Sequence, residues 1–188
     1  APSSGVVKSV GPRRTTAGQA IVCIEIETDG RDAWVDTYDP DGTLDDFSRP
    51  DDLLARIDEA GVVGMGGAAF PTRVKLVPPP DARIDCLVVN GAECEPYLTA
   101  DHRLMLEQAP GIAAGVRAMM AILKVDRAVL GIEDNKPDAI DAMRAAAAAV
   151  PGLSVAALAT RYPQGGEKQL IQALLGRDVP PGRLPLHV

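Results

Sequence analysis

The sequence predicts an α/β protein, a Rossmann-like three-layer domain with a mostly parallel sheet, preceded by a short β segment. From residue 48 onward, compact apolar runs of strand length alternate with longer segments of helical periodicity. The apolar runs lack polar alternation, which is typical of parallel strands covered by helices on both faces. The first 38 residues show instead the two-residue alternation of a half-buried strand. We therefore expect a partial β segment at 1–38, a linker at 39–50 and the α/β domain at 51–188.

Composition limits the possible functions. The chain has 188 residues, 46% of them apolar, enough for one good-sized domain or a domain with a small appendage. A net charge of −7 without a basic run argues against a nucleic-acid partner. No apolar run approaches the ~20 residues that span a bilayer, so we expect no direct membrane insertion. Without an initiator Met or a signal peptide, the chain is expected to be part of a longer protein.

The cysteines and histidines predict no metal site. Three cysteines are widely spaced, without a CxxC pair, and the two histidines lie far apart in sequence: Cys23, Cys86, Cys94, His102 and His187. Such spacing does not suit a zinc or Fe–S site held by this chain alone. Reduced thiols in a cytoplasmic protein are the simpler expectation.

The opening segment predicts short strands. Val6 and Val7 lead to an expected turn at Gly11-Pro12, and Ala33–Val35 is expected to pair with the strand that follows the turn. That strand shows three apolar residues alternating with polar ones: Val22, Ile24 and Ile26. Asp, Gly, Pro and Ser dominate the residues before Pro50, as in a linker.

The later elements follow from capping signals and periodicity. Ser48–Asp51 has capping-box form and begins a helix that ends at Gly61. Further helices are predicted at 71–77, after Pro110, near Pro137 and at 166–175, and buried strands at 85–90, 127–132 and 154–160. The helix after Pro110 carries a methionine-containing stripe, which core packing explains better than a cofactor.

A glycine-rich loop at 61–67 is the most distinctive local feature. It has four glycines in seven residues, followed by Pro71 and Thr72 at the start of a helix, with Lys75 about one turn further on. Glycines allow close backbone approach to a ligand, and a helix N-terminus offers free N–H groups to an anion. A phosphate-binding loop is therefore possible, although a tight structural turn is the commoner reason for such a pattern.

Two more polar loops follow predicted strands. Residues 90–96 carry Asn90, Glu93 and Glu95, and residues 162–168 place two glycines before a helix that begins with Glu167. Ligands of parallel sheets bind beyond the carboxyl ends of the strands. Taken singly, the first loop is explained slightly better as a cap of the following helix than as a ligand site. The acid of the second loop is explained without a ligand, because it matches the helix dipole. Three such loops at one sheet edge favour a ligand site.

Four segments resemble one protein family in the right order. They are Gly64–Thr72 with Lys75, Asn90–Asp101, Gly131–Pro137 and Tyr162–Leu170. In these segments the chain is similar to the RnfC subunits of ion-translocating electron transport complexes, and more broadly to the NADH-binding flavoprotein subunit of respiratory complex I. The first residues resemble the second half of that family's barrel-sandwich module. Four long matches are far more specific than one short motif.

The resemblance implies FMN and NADH as ligands, with hydride transfer between them carried by the cofactors rather than by a catalytic side chain. The implied FMN-binding residues are Gly64, Gly66, Gly67, Lys75, Asn90, Glu93, Cys94, Gly166 and Glu167. The implied NADH-binding residues are Phe70, Lys75, Glu95, Tyr162 and Lys168. The 4Fe-4S clusters that accept single electrons are expected beyond residue 188, so this fragment is not expected to be active alone.

The resemblance also implies an assembly. Such a protein is expected at the cytoplasmic side of the cell membrane, bound peripherally to other subunits, with ferredoxin as the redox partner of the complex. A cobalamin reductase of bacterial microcompartments shares the same motifs and stays an alternative. The second alternative is a docking module that has lost flavin. It rests on Ala69, which replaces a loop glycine of the family. The Ala69 methyl could crowd the ligand if that residue needs positive φ.

Overall fold

The computed structural model describes residues 3–35, 47–65 and 69–188. Two units divide the chain, Ala1–Thr43 and Leu44–Val188. The first contains a small antiparallel sheet, and the second contains a three-stranded parallel sheet with helices. This confirms the predicted α/β class.

The first unit is a β-hairpin of β1 (Gly5–Arg14) and β2 (Ala20–Thr28). The predicted turn at Gly11-Pro12 is wrong, because both residues lie inside β1, opposite Cys23 and Val22. The chain turns instead between Thr15 and Gln19, where Gly18 supplies a φ of 78°. Pro12 is tolerated because each strand of a two-stranded sheet has a free edge that needs no N–H donor.

Two other expectations for this unit are also wrong. Val22 and Ile24 are 75% and 62% exposed, so the alternation identified the strand but not its burial. No second layer covers the hairpin within the described part of its own unit. Ala33–Val35 is not a strand, and the Ala33 N–H donates to the Ser4 hydroxyl at 2.9 Å instead of to a ladder partner.

The sheet of the second unit has the order β3-β4-β5 with all strands parallel. Its strands are β3 (Leu87–Gly91), β4 (Ala128–Glu133) and β5 (Leu153–Leu158). The helices are α1 (Pro50–Glu59), α2 (Thr72–Lys75), α3 (Ala100–Glu107), α4 (Ala109–Leu123), α5 (Pro137–Ala147) and α6 (Glu167–Leu175), followed by a 3-10 turn (Pro185–His187). β4 is the central strand and is buried along its whole length.

Both faces of the sheet are covered. On one face Leu130 and Ile132 of β4 pack with Met143 of α5. A side chain at Gly131 would point to the opposite face, because side chains alternate along a strand. A Cβ there would lie 3.0 Å from the Leu170 side chain of α6. The sheet therefore lies between two layers of helices. Met120 of α4 is buried in the core, as predicted for that stripe.

Three local differences separate the structure from the sequence expectation. The N-cap of α1 is Arg49, one residue after the predicted Ser48, and the Arg49 side chain forms no capping hydrogen bond. Helix α3 has no counterpart in the prediction. β3 is only partly buried, because it lies at the edge of the sheet.

Candidate functional site

Three polar loops leave the carboxyl edge of the sheet side by side. Gly91 pairs with Ile132, and Glu133 pairs with Leu158, so the three strands end at the same level. Counting the loops after β3, β4 and β5 as first, second and third, Asp134 joins the second to the third. Its carboxylate accepts hydrogen bonds from the Thr160 hydroxyl at 2.6 Å and from the Thr160 backbone N–H at 3.1 Å. These bonds lower the pKa of the Asp134 carboxyl. The sheet therefore brings together two of the three predicted loops, residues 90–96 and 162–168, and places the loop after β4 beside them.

Gly165 links the first loop to the third. Its carbonyl accepts from the Asn90 side-chain amide at 2.8 Å, and its N–H donates to the Cys94 sulfur at 2.9 Å. A Cβ on Gly165 would lie 2.7 Å from the Ala92 carbonyl oxygen and 2.9 Å from the Cys94 sulfur. Only glycine fits such an approach without displacing its neighbours. Two predicted site residues, Asn90 and Cys94, thus meet at this junction, which we call the Gly165 clasp.

Glu93 caps helix α3. The side chain is buried, and its two carboxylate oxygens accept from the backbone N–H groups of Asp101 at 2.8 Å and His102 at 3.2 Å. A carboxylate at this position satisfies two free N–H groups and matches the helix dipole. Burial, and then the negative charge of Glu93, raise the pKa of the Asp101 carboxyl, while Lys136 opposes the shift.

The sequence interpretation assigned no role to the buried ion pair of Lys136 and Glu133. Their side chains are 8% and 3% exposed, and the Lys136 ammonium lies 2.9 Å from the Glu133 carboxylate. Asn135 accepts a further hydrogen bond from Lys136 at 3.1 Å. Buried charges need such partners. The sequence signal for this pair was the Glu-x-x-Lys spacing at the end of an apolar strand. It lies in one of the four segments that resemble the family.

The glycine-rich loop closes on itself. The Gly64 N–H donates to the Phe70 carbonyl at 2.8 Å, and the Thr72 N–H donates to the Val62 carbonyl at 3.0 Å. Gly66 and Gly67, both predicted FMN contacts, lie outside the described residues. Ala69 has a φ of 48°. This is the positive φ under which its methyl group could crowd a ligand.

Lys75 folds back toward this loop. Its ammonium lies 5.8 Å from the centre of the Phe70 ring. A Cβ on Gly64 would lie 3.5 Å from the same nitrogen. Lys75 forms no ion pair with any residue in the described ranges. The side chain is therefore an exposed cation beside a glycine loop.

Three cavities divide the predicted site residues. The Lys75 cavity, of about 420 Å³, is lined by Lys75, Asn90 and Glu167, with Leu87, Leu170 and Ile171 as apolar walls. The Glu95 cleft, of about 360 Å³, is lined by Glu93, Cys94, Glu95, Tyr97, Lys136 and Tyr162. The Lys168 groove, of about 550 Å³, is lined by Tyr162 and Lys168 and by Pro180 and Pro181. Asn90 lines the Lys75 cavity and Cys94 lines the Glu95 cleft. The Gly165 clasp, which contacts both residues, therefore lies between these two cavities.

Gly166 and Phe70 line none of these three cavities. Gly166 is the N-cap of α6, and its own N–H donates to the Pro163 carbonyl at 2.9 Å. The described residues contain no group of three or more His, Cys, Asp or Glu side chains placed to hold a metal ion. Within the same ranges, no helix is long and apolar enough to cross a membrane.

The fold and the loops define a parallel α/β domain with polar loops at the carboxyl edge of its sheet. The profile described as the Nuo51 FMN-binding domain matches residues 57–188. The chain belongs to this family.

Similar proteins include the RnfC-type subunit of a proton-translocating ferredoxin:NAD(+) oxidoreductase complex from Clostridium ljungdahlii, 48% identical over the whole chain and 41% of the relative. The corresponding subunit of the Na(+)-translocating complex of Acetobacterium woodii is 48% identical over 97% of the chain and 41% of the relative. The predicted resemblance to such subunits is thus confirmed. The chain spans less than half the length of these curated relatives.

Among solved structures, a crystal structure of an NAD+-reducing [NiFe]-hydrogenase in the air-oxidized state is similar to the chain. The TM-score is 0.59 at 26% identity, over 68% of this chain and 24% of the hydrogenase chain. This similarity extends to the α/β architecture described above.

Proposed function

We propose that this chain is the FMN- and NADH-binding part of an electron-transfer flavoprotein subunit in an ion-translocating complex. Membership in the family of the Nuo51 FMN-binding domain is the observation that carries the proposal. The two relatives named above are subunits of ferredoxin:NAD(+) oxidoreductase complexes, which supports the same assignment. Other subunits of such a complex are the expected partners, with NADH and ferredoxin as redox partners.

The residues of the Lys75 cavity fit FMN. An exposed cation with no ion-pair partner among the described residues suits a phosphate, and the Asn90 amide and apolar walls suit a polar-edged ring system. Gly64 leaves space beside the Lys75 ammonium that a side chain would reduce. We assign Gly64, Gly66, Gly67, Lys75, Asn90, Gly166 and Glu167 to this ligand, with Glu93 and Cys94 acting from the neighbouring loop.

The remaining assignments concern the nicotinamide nucleotide. Glu95, Phe70, Tyr162 and Lys168, together with Lys75, are proposed to orient NADH. Bound FMN supplies a group that accepts a hydride and returns electrons singly to Fe–S clusters and ferredoxin. The protein's part is to hold the two rings in reacting geometry and to exclude water, with the Gly165 clasp fixing the loops on which Asn90 and Cys94 lie. We place the protein peripherally at the cytoplasmic face of the membrane.

One observation favours a second candidate. Ala69 has a φ of 48° next to the glycine loop, where the family resemblance implies glycine. A docking module that has lost flavin would tolerate such a residue. Flavin binding separates the two functions directly.

The decisive experiment is an FMN titration of the protein, its Lys75→Ala variant and an Arg73→Ala control. Arg73 belongs to the same short helix but is paired with Asp58 at 3.2 Å. Loss of a charge-assisted contact worth ~1.5–3 kcal/mol should raise the FMN Kd of Lys75→Ala at least about tenfold. Arg73→Ala should leave the Kd unchanged.

Equal FMN Kd values for wild type and Lys75→Ala would remove Lys75 from the site. A wild-type protein that binds no FMN, either in this chain or in the full-length protein, would support the docking module.

A further inference from the structure

Residues 95–98 form a tight turn with an unusual residue at its third position. The Leu98 N–H donates to the Glu95 carbonyl at 3.2 Å, and Pro96 occupies the second position. Tyr97, the third residue, has a φ of 66°. A type II turn has this arrangement and normally places Gly or Asn at the third position, because positive φ strains other residues. A tyrosine there therefore destabilises the turn.

Packing does not offset this strain. The Tyr97 side chain is fully exposed, at 102% of its reference area, so its ring buries no surface within the described residues. The chain is poor in aromatic residues, with one Trp, three Tyr and two Phe. Strained backbone that stability does not explain is a reason to look for a function.

The position of the ring suggests that function. Tyr97 lines the Glu95 cleft together with Tyr162, which is itself 78% exposed. Glu95 begins the turn, and its carboxylate forms no ion pair with any other residue that the structure describes. Two exposed aromatic rings and a free carboxylate suit a planar base whose ribose hydroxyls donate hydrogen bonds.

We propose that Tyr97 is a ligand-contact residue that stacks on the planar base of a nicotinamide nucleotide in the Glu95 cleft. This inference rests on the proposed nucleotide-binding function and adds a residue and a contact to it. The turn holds the ring at the mouth of the cleft, and the backbone strain is the cost of that placement. Either base of the dinucleotide has the required chemistry.

The test separates binding from stability. Tyr97→Gly removes both the ring and the strain, whereas Tyr97→Phe keeps the ring. Binding of NADH, nicotinamide mononucleotide and ADP-ribose to the flavin-loaded protein would be measured by calorimetry, and the urea midpoint of each variant by circular dichroism. Lys124→Gly is the matched control, because Lys124 has a φ of 56° at the end of α4 and lines none of the three cavities.

We expect Tyr97→Gly to unfold at higher urea concentration and to bind NADH about tenfold more weakly, the scale of one lost base–aromatic stack. Tyr97→Phe should bind like wild type. Lys124→Gly should gain stability without any change in binding. A weaker affinity for nicotinamide mononucleotide would place the nicotinamide ring on Tyr97, and a weaker affinity for ADP-ribose would place the adenine there.

A Tyr97→Gly variant that binds NADH, nicotinamide mononucleotide and ADP-ribose like a binding-competent wild type would overturn this inference while leaving the proposed function intact. A wild-type protein that binds neither FMN nor NADH would overturn both.

Discussion

Ala69 illustrates how one methyl group can conflict with a backbone conformation. Its φ of 48° lies in the left-handed region, where the Cβ of an L-residue approaches the following carbonyl oxygen. Glycine avoids this contact at no steric cost. The sequence allowed the conflict to be stated only as a condition, because residue type does not report the sign of φ. The structure supplies the missing angle.

Replacing Ala69 by glycine should therefore stabilise the protein. We expect Ala69→Gly to raise the free energy of unfolding by ~0.5–1 kcal/mol, because relief of strain exceeds the added entropy of the unfolded chain. Urea denaturation followed by circular dichroism measures the change. Ala60→Gly is the control, since Ala60 has a φ of −70° at the end of α1 and should lose stability. A free energy of unfolding below that of wild type in both variants would show that the Ala69 backbone is unstrained.

The sequence indicated residue types more reliably than it indicated backbone angles. The helix predicted at 166–175 ends before Gly176, which has a φ of 67°. Lys124 and Tyr97 adopt similar angles without any local sequence signal. The burial of Lys136 was signalled only by the Glu-x-x-Lys spacing, because its partner Glu133 becomes a neighbour only when β4 ends and the chain turns.

Elements with a clear period were predicted well. β4, α5 and α6 lie where apolar runs and helical spacing placed them, since those patterns report burial on one face or on both. Elements fixed by distant contacts were missed. Helix α3 begins where Glu93, eight residues before Asp101, caps its N-terminus, and no local periodicity reports that bond. The hairpin turn was misplaced because strand pairing, rather than Gly11-Pro12, sets its position.

The Gly165 clasp joins two elements that the sequence presented separately. We expect Gly165→Ala to lower the free energy of unfolding by ~1–3 kcal/mol, because the new Cβ would lie 2.7 Å from a backbone oxygen that cannot move freely. Thermal or urea unfolding measures the loss. If the clasp also positions the FMN contacts, the same variant should bind FMN more weakly.

Gly115→Ala provides a matched control for this substitution. Gly115 lies inside α4, and a Cβ there would meet nothing within 4 Å. Alanine should raise the free energy of unfolding there by ~0.5–1 kcal/mol. Equal effects of the two glycine-to-alanine changes would argue against a close contact at Gly165.

At the scale of the whole molecule, the parallel sheet explains why motifs that are distant in sequence lie at one edge of the fold. The carboxyl ends of its strands meet at one edge, so loops distant in sequence become neighbours. The sequence predicted correctly that the loops at 90–96 and 162–168 meet. The distribution of the residues over three cavities was not predictable, because it depends on side-chain directions and on the Gly165 clasp.

A long-range ion pair ties the start of the sheet to the end of the last helix. Asp85, which precedes β3, accepts two hydrogen bonds from the Arg177 guanidinium, at 2.8 Å and 2.5 Å. Arg177 follows α6 in the chain. Its hydrogen bonds hold the pKa of the Asp85 carboxyl below its ordinary value.

This pairing predicts a pH dependence of stability with a definite sign. Because the folded pKa of Asp85 is lowered, the unfolded chain binds a proton at higher pH than the folded chain does. The contribution is complete above the unfolded pKa of ~3.9 and is lost as the pH falls through the folded pKa. The Asp85→Asn variant should therefore be less stable than wild type near neutral pH, and the difference should shrink below about pH 4.

Urea midpoints measured from pH 7 down to pH 3 test this expectation. Asp81→Asn is the control, because Asp81 is a nearby exposed carboxylate without an ion-pair partner among the described residues. The two side chains of the Asp85–Arg177 pair are 61% and 35% exposed, so solvent and salt screen the interaction, and added salt should reduce the Asp85→Asn effect. A stability difference that stays constant across this pH range would mean that Asp85 contributes through packing or neutral hydrogen bonding rather than through its charge.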